Sequence, residues 1–146
     1  MKATMLLRKD HDEIRTLLMR ARKGSGADKA SHVEELREAV RMHFKIEEDM
    51  FFPELLNTPS NEVEAQVNTA VERRRRIEKL LEGIAADTPA RRLETQVATL
   101  EAQLEEHFRF EEEVFETARL SFSEFRMEQL GLEMEERRRF LRRPAA

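Results

Sequence analysis

The sequence predicts an all-α protein: an up-down-up-down antiparallel four-helix bundle with a short C-terminal fifth helix. Three observations carry this. Charged residues make up 38% of the chain, with only four Gly and four Pro, and Ala, Leu, Glu and Arg are abundant, a composition that favours helix. Apolar residues recur in alternating steps of three and four, which is the seam a helix turns toward a bundle core. Turn-forming residues fall in short clusters that cut this periodicity into segments, and short connections make sequential helices antiparallel neighbours.

The first helix is predicted over 3–23, with Leu7, His11, Ile14, Leu18 and Ala21 facing inward, and Gly24-Ser25-Gly26 ends it. The second, 28–56, turns Val33, Leu36, Val40, His43, Glu47 and Met50 to the core and stops at Asn57-Thr58-Pro59-Ser60-Asn61. The third, 61–85, opens on Asn61 followed by Glu64, a capping box, and presents Val63, Val67, Ala70, Arg74, Ile77, Leu81 and Ile84. After Ala86-Asp87-Thr88-Pro89, read as an N-cap Thr with Pro at the first helical position, the fourth runs over 89–119 with Leu93, Val97, Leu100, Leu104, His107, Glu111 and Val114 inward. A shorter helix over 121–140 follows. The organisation expected is a bundle over residues 1–120 and a helix with a basic tail, 121–146, packed on it. A fifth helix covering the bundle is favoured over a dimerisation element, and the arginines at its end suit a helix C-terminus.

Bulk properties exclude several classes. The 146 residues fit one domain. A net charge of −4 with acidic and basic residues mixed along the chain disfavours a nucleic-acid partner. There is no Cys, so a metal would have to take nitrogen and oxygen ligands. No signal-like apolar run opens the chain and no stretch approaches membrane-spanning length, so a cytoplasmic protein without membrane association, monomer or homodimer, is expected. No nucleophile motif or phosphate loop appears, which makes an enzyme the weaker expectation.

The chemistry lies in a duplicated nonapeptide. His43-Phe44-Lys45-Ile46-Glu47-Glu48-Asp49-Met50-Phe51 returns as His107-Phe108-Arg109-Phe110-Glu111-Glu112-Glu113-Val114-Phe115. Each copy sets a His and a Glu four residues apart, one above the other on one helix face. Imidazole and carboxylate on an inward face are what a transition metal needs. Buried polar groups must find partners, and every predicted helix of the bundle carries a polar residue about midway along its seam. A lone His-x-x-x-Glu in so Glu-rich a chain arises by chance on a solvated face; the seam register and the duplication argue against that here. Phe44, Phe51, Phe52, Phe108, Phe110 and Phe115 cluster near these residues and are expected to pack the core around them.

These residues resemble the hemerythrin-like, or HHE cation-binding, family. The motifs are Asp10-His11-x-Glu13-Ile14, His43-x-x-x-Glu47 with Phe51-Phe52-Pro53, and His107-x-x-x-Glu111. The resemblance implies a four-helix bundle holding two non-haem irons between one His from each of the first and third helices and a His-x-x-x-Glu pair from each of the second and fourth. It implies metal ligands His11, His43, Glu47, His107 and Glu111, a carboxylate bridge, and a role in binding or sensing dioxygen or nitric oxide or in handling iron or stress. Zinc or manganese would suit the same donors.

One corner departs from the pattern. Where the third helix should supply a His, the seam residue is Arg74. His32 lies roughly 16 Å of helical rise from His43 and cannot replace it. A guanidinium has only donors, so it cannot ligate a cation, but it forms two parallel hydrogen bonds with a carboxylate. Arg74 is therefore expected to pair with Glu47 or Glu111. Three versions stand open: one metal at His11, His43, Glu47 and Glu111; a degenerate, metal-free bundle serving as an interaction or regulatory domain, held by Arg–Glu pairs; or an Arg74 that snorkels outward while two metals bind with one ligand missing.

Overall fold

The computed structural model describes residues 1–85 and 87–143. Ala86 of the third predicted turn and residues 144–146 of the predicted tail lie outside the described residues. Among the described residues the secondary structure is helical throughout: α1 (Ala3–Lys23), α2 (Gly26–Ile46), a π-helical turn (Glu47–Phe51), α3 (Phe52–Leu56), α4 (Asn61–Glu82), α5 (Ala90–Ser121) and α6 (Glu124–Arg142). α2, the π turn and α3 run on as one rod, so α1, this rod, α4 and α5 are the four staves, with α6 added. No described helix is long and apolar enough to cross a membrane.

The staves are antiparallel. Arg8, Arg15 and Arg22, rising along α1, pair with Glu112, Glu105 and Glu101, falling along α5. Arg73 of α4 meets Glu106 of α5, while Gln96 of α5 reaches the Gly83 carbonyl just after α4. Asp10 meets His43 across α1 and α2.

The caps sit one residue away from their expected places. Ser60, not Asn61, is the N-cap of α4, accepting the Val63 N–H at 3.3 Å, and Asn61 is the first helical residue. Pro89, not Thr88, occupies the cap position before α5, with no side-chain cap bond. Such end positions are the least constrained by an apolar stripe.

The inward stripes come out as expected except at two residues, Met50 and Arg74, both half-buried. Met50 follows from the π turn. Pro53 cannot donate to the Asp49 carbonyl, and its ring would clash there. The ladder widens by one residue instead, and the Phe52 N–H bonds to the Glu47 carbonyl. The extra residue rotates everything after Glu47, so Phe51, Phe52 and Leu55 take the core positions.

Two apolar clusters result. One holds Leu6, Leu7, Ile46, Phe51, Phe115 and the α6 residues Met127, Leu130 and Met134; the other holds Ile14, Leu18, Leu36, Phe44, Leu100 and Phe108. Four Phe rings, Phe44, Phe51, Phe108 and Phe115, are fully buried, each stabilising the fold by about 1.5–3 kcal/mol.

α6 covers the bundle with Met127, Leu130, Gly131 and Met134. Phe125, Leu132 and Phe140 of the same helix face solvent. Gly131 is required: a Cβ there would lie 1.8 Å from the Met1 carbonyl oxygen and 2.9 Å from the Ala3 nitrogen.

Candidate metal centre

Between the two apolar clusters lies a polar layer. His11 comes from α1, His43 from the last turn of α2, Glu47 from the first residue of the π turn, and His107 and Glu111 from α5. All five are at most 1% exposed. The structure thus brings together every expected ligand, and each arrives on a rigid helix whose flanking seam residues anchor it above and below.

Glu111 is the hub. Its Oε1 lies 3.1 Å from His11 Nε2, 3.1 Å from His43 Nε2 and 3.3 Å from His107 Nε2, while Glu47 Oε1 is 3.3 Å from His43 Nε2. The two 3.3 Å contacts are misaligned as hydrogen bonds. Both oxygens of Glu47, both ring nitrogens of His107, His11 Nδ1 and Glu111 Oε2 are buried with no hydrogen-bond partner. A buried unsatisfied polar atom costs about 1–3 kcal/mol, so protein contacts alone do not account for this layer. A cation fits it. Among the described residues the donors fall into two triads, His11–His43–Glu111 and Glu47–His107–Glu111, each with ligand atoms within 4.8 Å of one another. They share Glu111, and a carboxylate has two oxygens to divide between two ions.

The electrostatics separate the three imidazoles. Burial pushes His107 down to about 3, with repulsion from His43 and His11 adding to it, so its lone pair is available to an ion. Burial also holds His11 below its ordinary value, against the pull of Glu111. For His43 burial acts downward too, but the Glu111 charge and a hydrogen bond to Asp10 outweigh it and raise the ring to about 9. Burial would raise the Glu111 carboxyl; the His43 charge and the bonds from His11 and His43 hold it below the usual range.

Phenylalanines wall the layer. Phe108 stacks on His11 at 3.9 Å with planes 17° apart, Phe115 lies 5.5 Å from the same ring, and Phe44 meets His107 edge-on at 5.5 Å. Phe51 and Phe52 pack against each other in the neighbouring apolar cluster, where Phe51 also meets Phe115, and Phe110 is half-buried beneath the Arg73 guanidinium at 5.1 Å.

Arg74 does not pair with Glu47 or Glu111. Its Nη2 donates to Glu48 Oε2 at 3.2 Å, its Nε lies 3.2 Å from Glu78 Oε1, and its guanidinium sits 5.9 Å over the Phe44 ring. The physical reason is reach. The long side chain carries the charge past Glu47 and Glu111 to the partly exposed carboxylates of Glu48 and Glu78, while Arg74 itself stays largely buried, its side chain 13% exposed and its Nη1 without a hydrogen-bond partner. The expected Arg74 pairing with Glu47 or Glu111 is therefore not formed.

Two residues of the site carried no assigned role in the sequence reading. Asp10 Oδ2 lies 3.0 Å from His43 Nδ1, and Arg138 of α6 donates to both Asp10 oxygens, at 2.7 and 2.6 Å. Asp10 directly precedes His11 in the chain, and that adjacency was its only signal. Arg138 was one cation in a terminal run.

Buried His and Glu side chains converging in an antiparallel helical bundle define a class of cation-binding bundles. The chain matches the family model described as the Hemerythrin HHE cation binding domain over residues 3–118 and belongs to that family. No curated protein and no solved structure matches it.

Proposed function

We propose that the chain binds metal cations through His11, His43, Glu47, His107 and Glu111, that iron is its resident metal, and that it binds or senses a small diatomic molecule such as dioxygen or nitric oxide. The observation that carries this is the layer of orphaned carboxylate and imidazole atoms gathered around Glu111. Family membership supports a cation; the choice of iron rests on what the hemerythrin-like resemblance implies. Iron held by such donors would supply a redox-active centre able to take a small exogenous ligand.

The two triads predict unequal positions. His11–His43–Glu111 offers two imidazoles and Glu47–His107–Glu111 only one, with Arg74 where a further imidazole would stand. The metal-free alternative needed Arg74 to neutralise a buried carboxylate, and its contacts with Glu48 and Glu78 speak against that.

Elemental analysis of protein loaded with ferrous iron and then desalted tests the reading. Wild type is expected to retain one ion firmly and a second loosely, Arg74→His to retain two, and His43→Ala to lose the firm one. Wild type that keeps no metal, with a melting curve indifferent to chelator, overturns it.

A further inference from the structure

We propose that Arg138, on the C-terminal helix, is a positioning residue of the metal centre: it clamps Asp10, and Asp10 sets the orientation of His43. This rests on the metal-binding reading above and extends it beyond the matched residues 3–118.

The contacts form one line from α6 to the hub. Arg138 Nη1 and Nη2 donate to Asp10 Oδ1 and Oδ2 at 2.7 and 2.6 Å, a two-point grip. Asp10 Oδ2 accepts from His43 Nδ1 at 3.0 Å, and His43 Nε2 points at Glu111 Oε1 at 3.1 Å. A ring nitrogen held by a carboxylate fixes which nitrogen of the imidazole carries the proton and which faces the ion. A carboxylate gripped at only one oxygen can still swing about its own side-chain bond. The guanidinium fork removes that freedom, because both oxygens are engaged in one plane.

A simple tie between α6 and the bundle does not explain the placement. That tie exists already in Met127, Leu130 and Met134 and in the pairs Lys2–Glu124, Arg126–Glu54 and Arg137–Asp49. The neighbouring Arg139, Arg142 and Arg143 are exposed, whereas the Arg138 side chain is 12% exposed and reaches the carboxylate that touches a proposed ligand. Seating of α6 and retention of the ion are thereby coupled, so whatever displaces α6 loosens the ion held by His43.

The test is zinc(II) affinity of the full chain, measured by competition with a chromophoric chelator, for wild type, Asp10→Asn, Arg138→Met, Arg138→Lys and the double variant Asp10→Asn/Arg138→Met. Loss of such an outer partner costs about 10- to 100-fold in metal affinity. Asp10→Asn and Arg138→Met are each expected to show a loss of that order, and Arg138→Lys a smaller one. The double variant should bind no more weakly than Asp10→Asn alone, since Arg138 acts through Asp10. In the zinc-loaded protein the His43 Nδ1 proton should give a sharp downfield NMR signal that weakens in Arg138→Met. If Arg138→Met does not fold, Arg138→Lys and the double variant Asp10→Asn/Arg138→Lys carry the same comparison. Unchanged affinity in the Arg138 variants, or additive losses in the double variant, overturns the proposal while leaving metal binding intact. Wild type that binds neither zinc nor iron overturns both.

Discussion

At the scale of single residues, Glu111 holds the site together, because three imidazoles converge on one of its oxygens. Glu111→Ala should therefore abolish both proposed cation positions, whereas His107→Ala should remove only the weaker one; metal per chain after desalting distinguishes them. The same cluster dictates how the metal-free protein responds to pH. His43 is raised from 6.5 to about 9, so its contribution is complete below pH 6.5 and is lost as pH climbs through 9. His107 is lowered from 6.5 to about 3, so the unfolded chain takes up its proton first, and stability falls as pH drops from 6.5 toward 3. Chelator-treated protein should melt highest near pH 6.5 and lower on either side; a profile flat from pH 5 to 9 would contradict these assignments. The His and Glu positions were legible in the sequence because helical spacing alone puts them on the seam. The direction of Arg74 was not, since a side chain that long can leave a seam position without moving the backbone.

At the scale of elements, what was legible is what the apolar stripe enforces: the number of helices, their order and their approximate ends. The phase change at the π turn was not, because the periodicity stays plausible either way and only packing shows Phe51, Phe52 and Leu55 inside. The face α6 buries was not legible for a related reason. Its helix is apolar on more than one side, and what decides is Gly131, whose missing side chain lets the backbone approach Met1 and Ala3. Gly131→Ala forces that contact apart. It should destabilise the protein by about 1–3 kcal/mol, as overpacking does, and lower the melting temperature by several degrees. Because α6 carries Arg138, the same variant should also weaken zinc binding; unaltered melting would mean that the N-terminal residues yield without cost.

At the scale of the molecule, a buried polar layer divides one bundle into two apolar halves, and the fold tolerates it because each half packs its own fully buried rings. The layer is then the place where ligand binding and stability are linked. An ion that binds only the folded chain adds about 2.7 kcal/mol when its free concentration is a hundred times its Kd. For a chain of this length that corresponds to a rise of roughly 5–10 °C in melting temperature. The rise continues with the logarithm of free metal, and its slope counts the ions bound. Two unequal triads predict a slope for one ion at low free zinc that steepens toward two at higher zinc, as Glu47–His107–Glu111 fills. In Arg74→His the steepening should move to lower zinc, because the second position gains an imidazole and loses a nearby cation. A melting temperature that follows a one-ion slope throughout in both proteins would reduce the centre to a single position, and one that ignores zinc altogether would leave the orphaned atoms of the layer without the partner proposed for them.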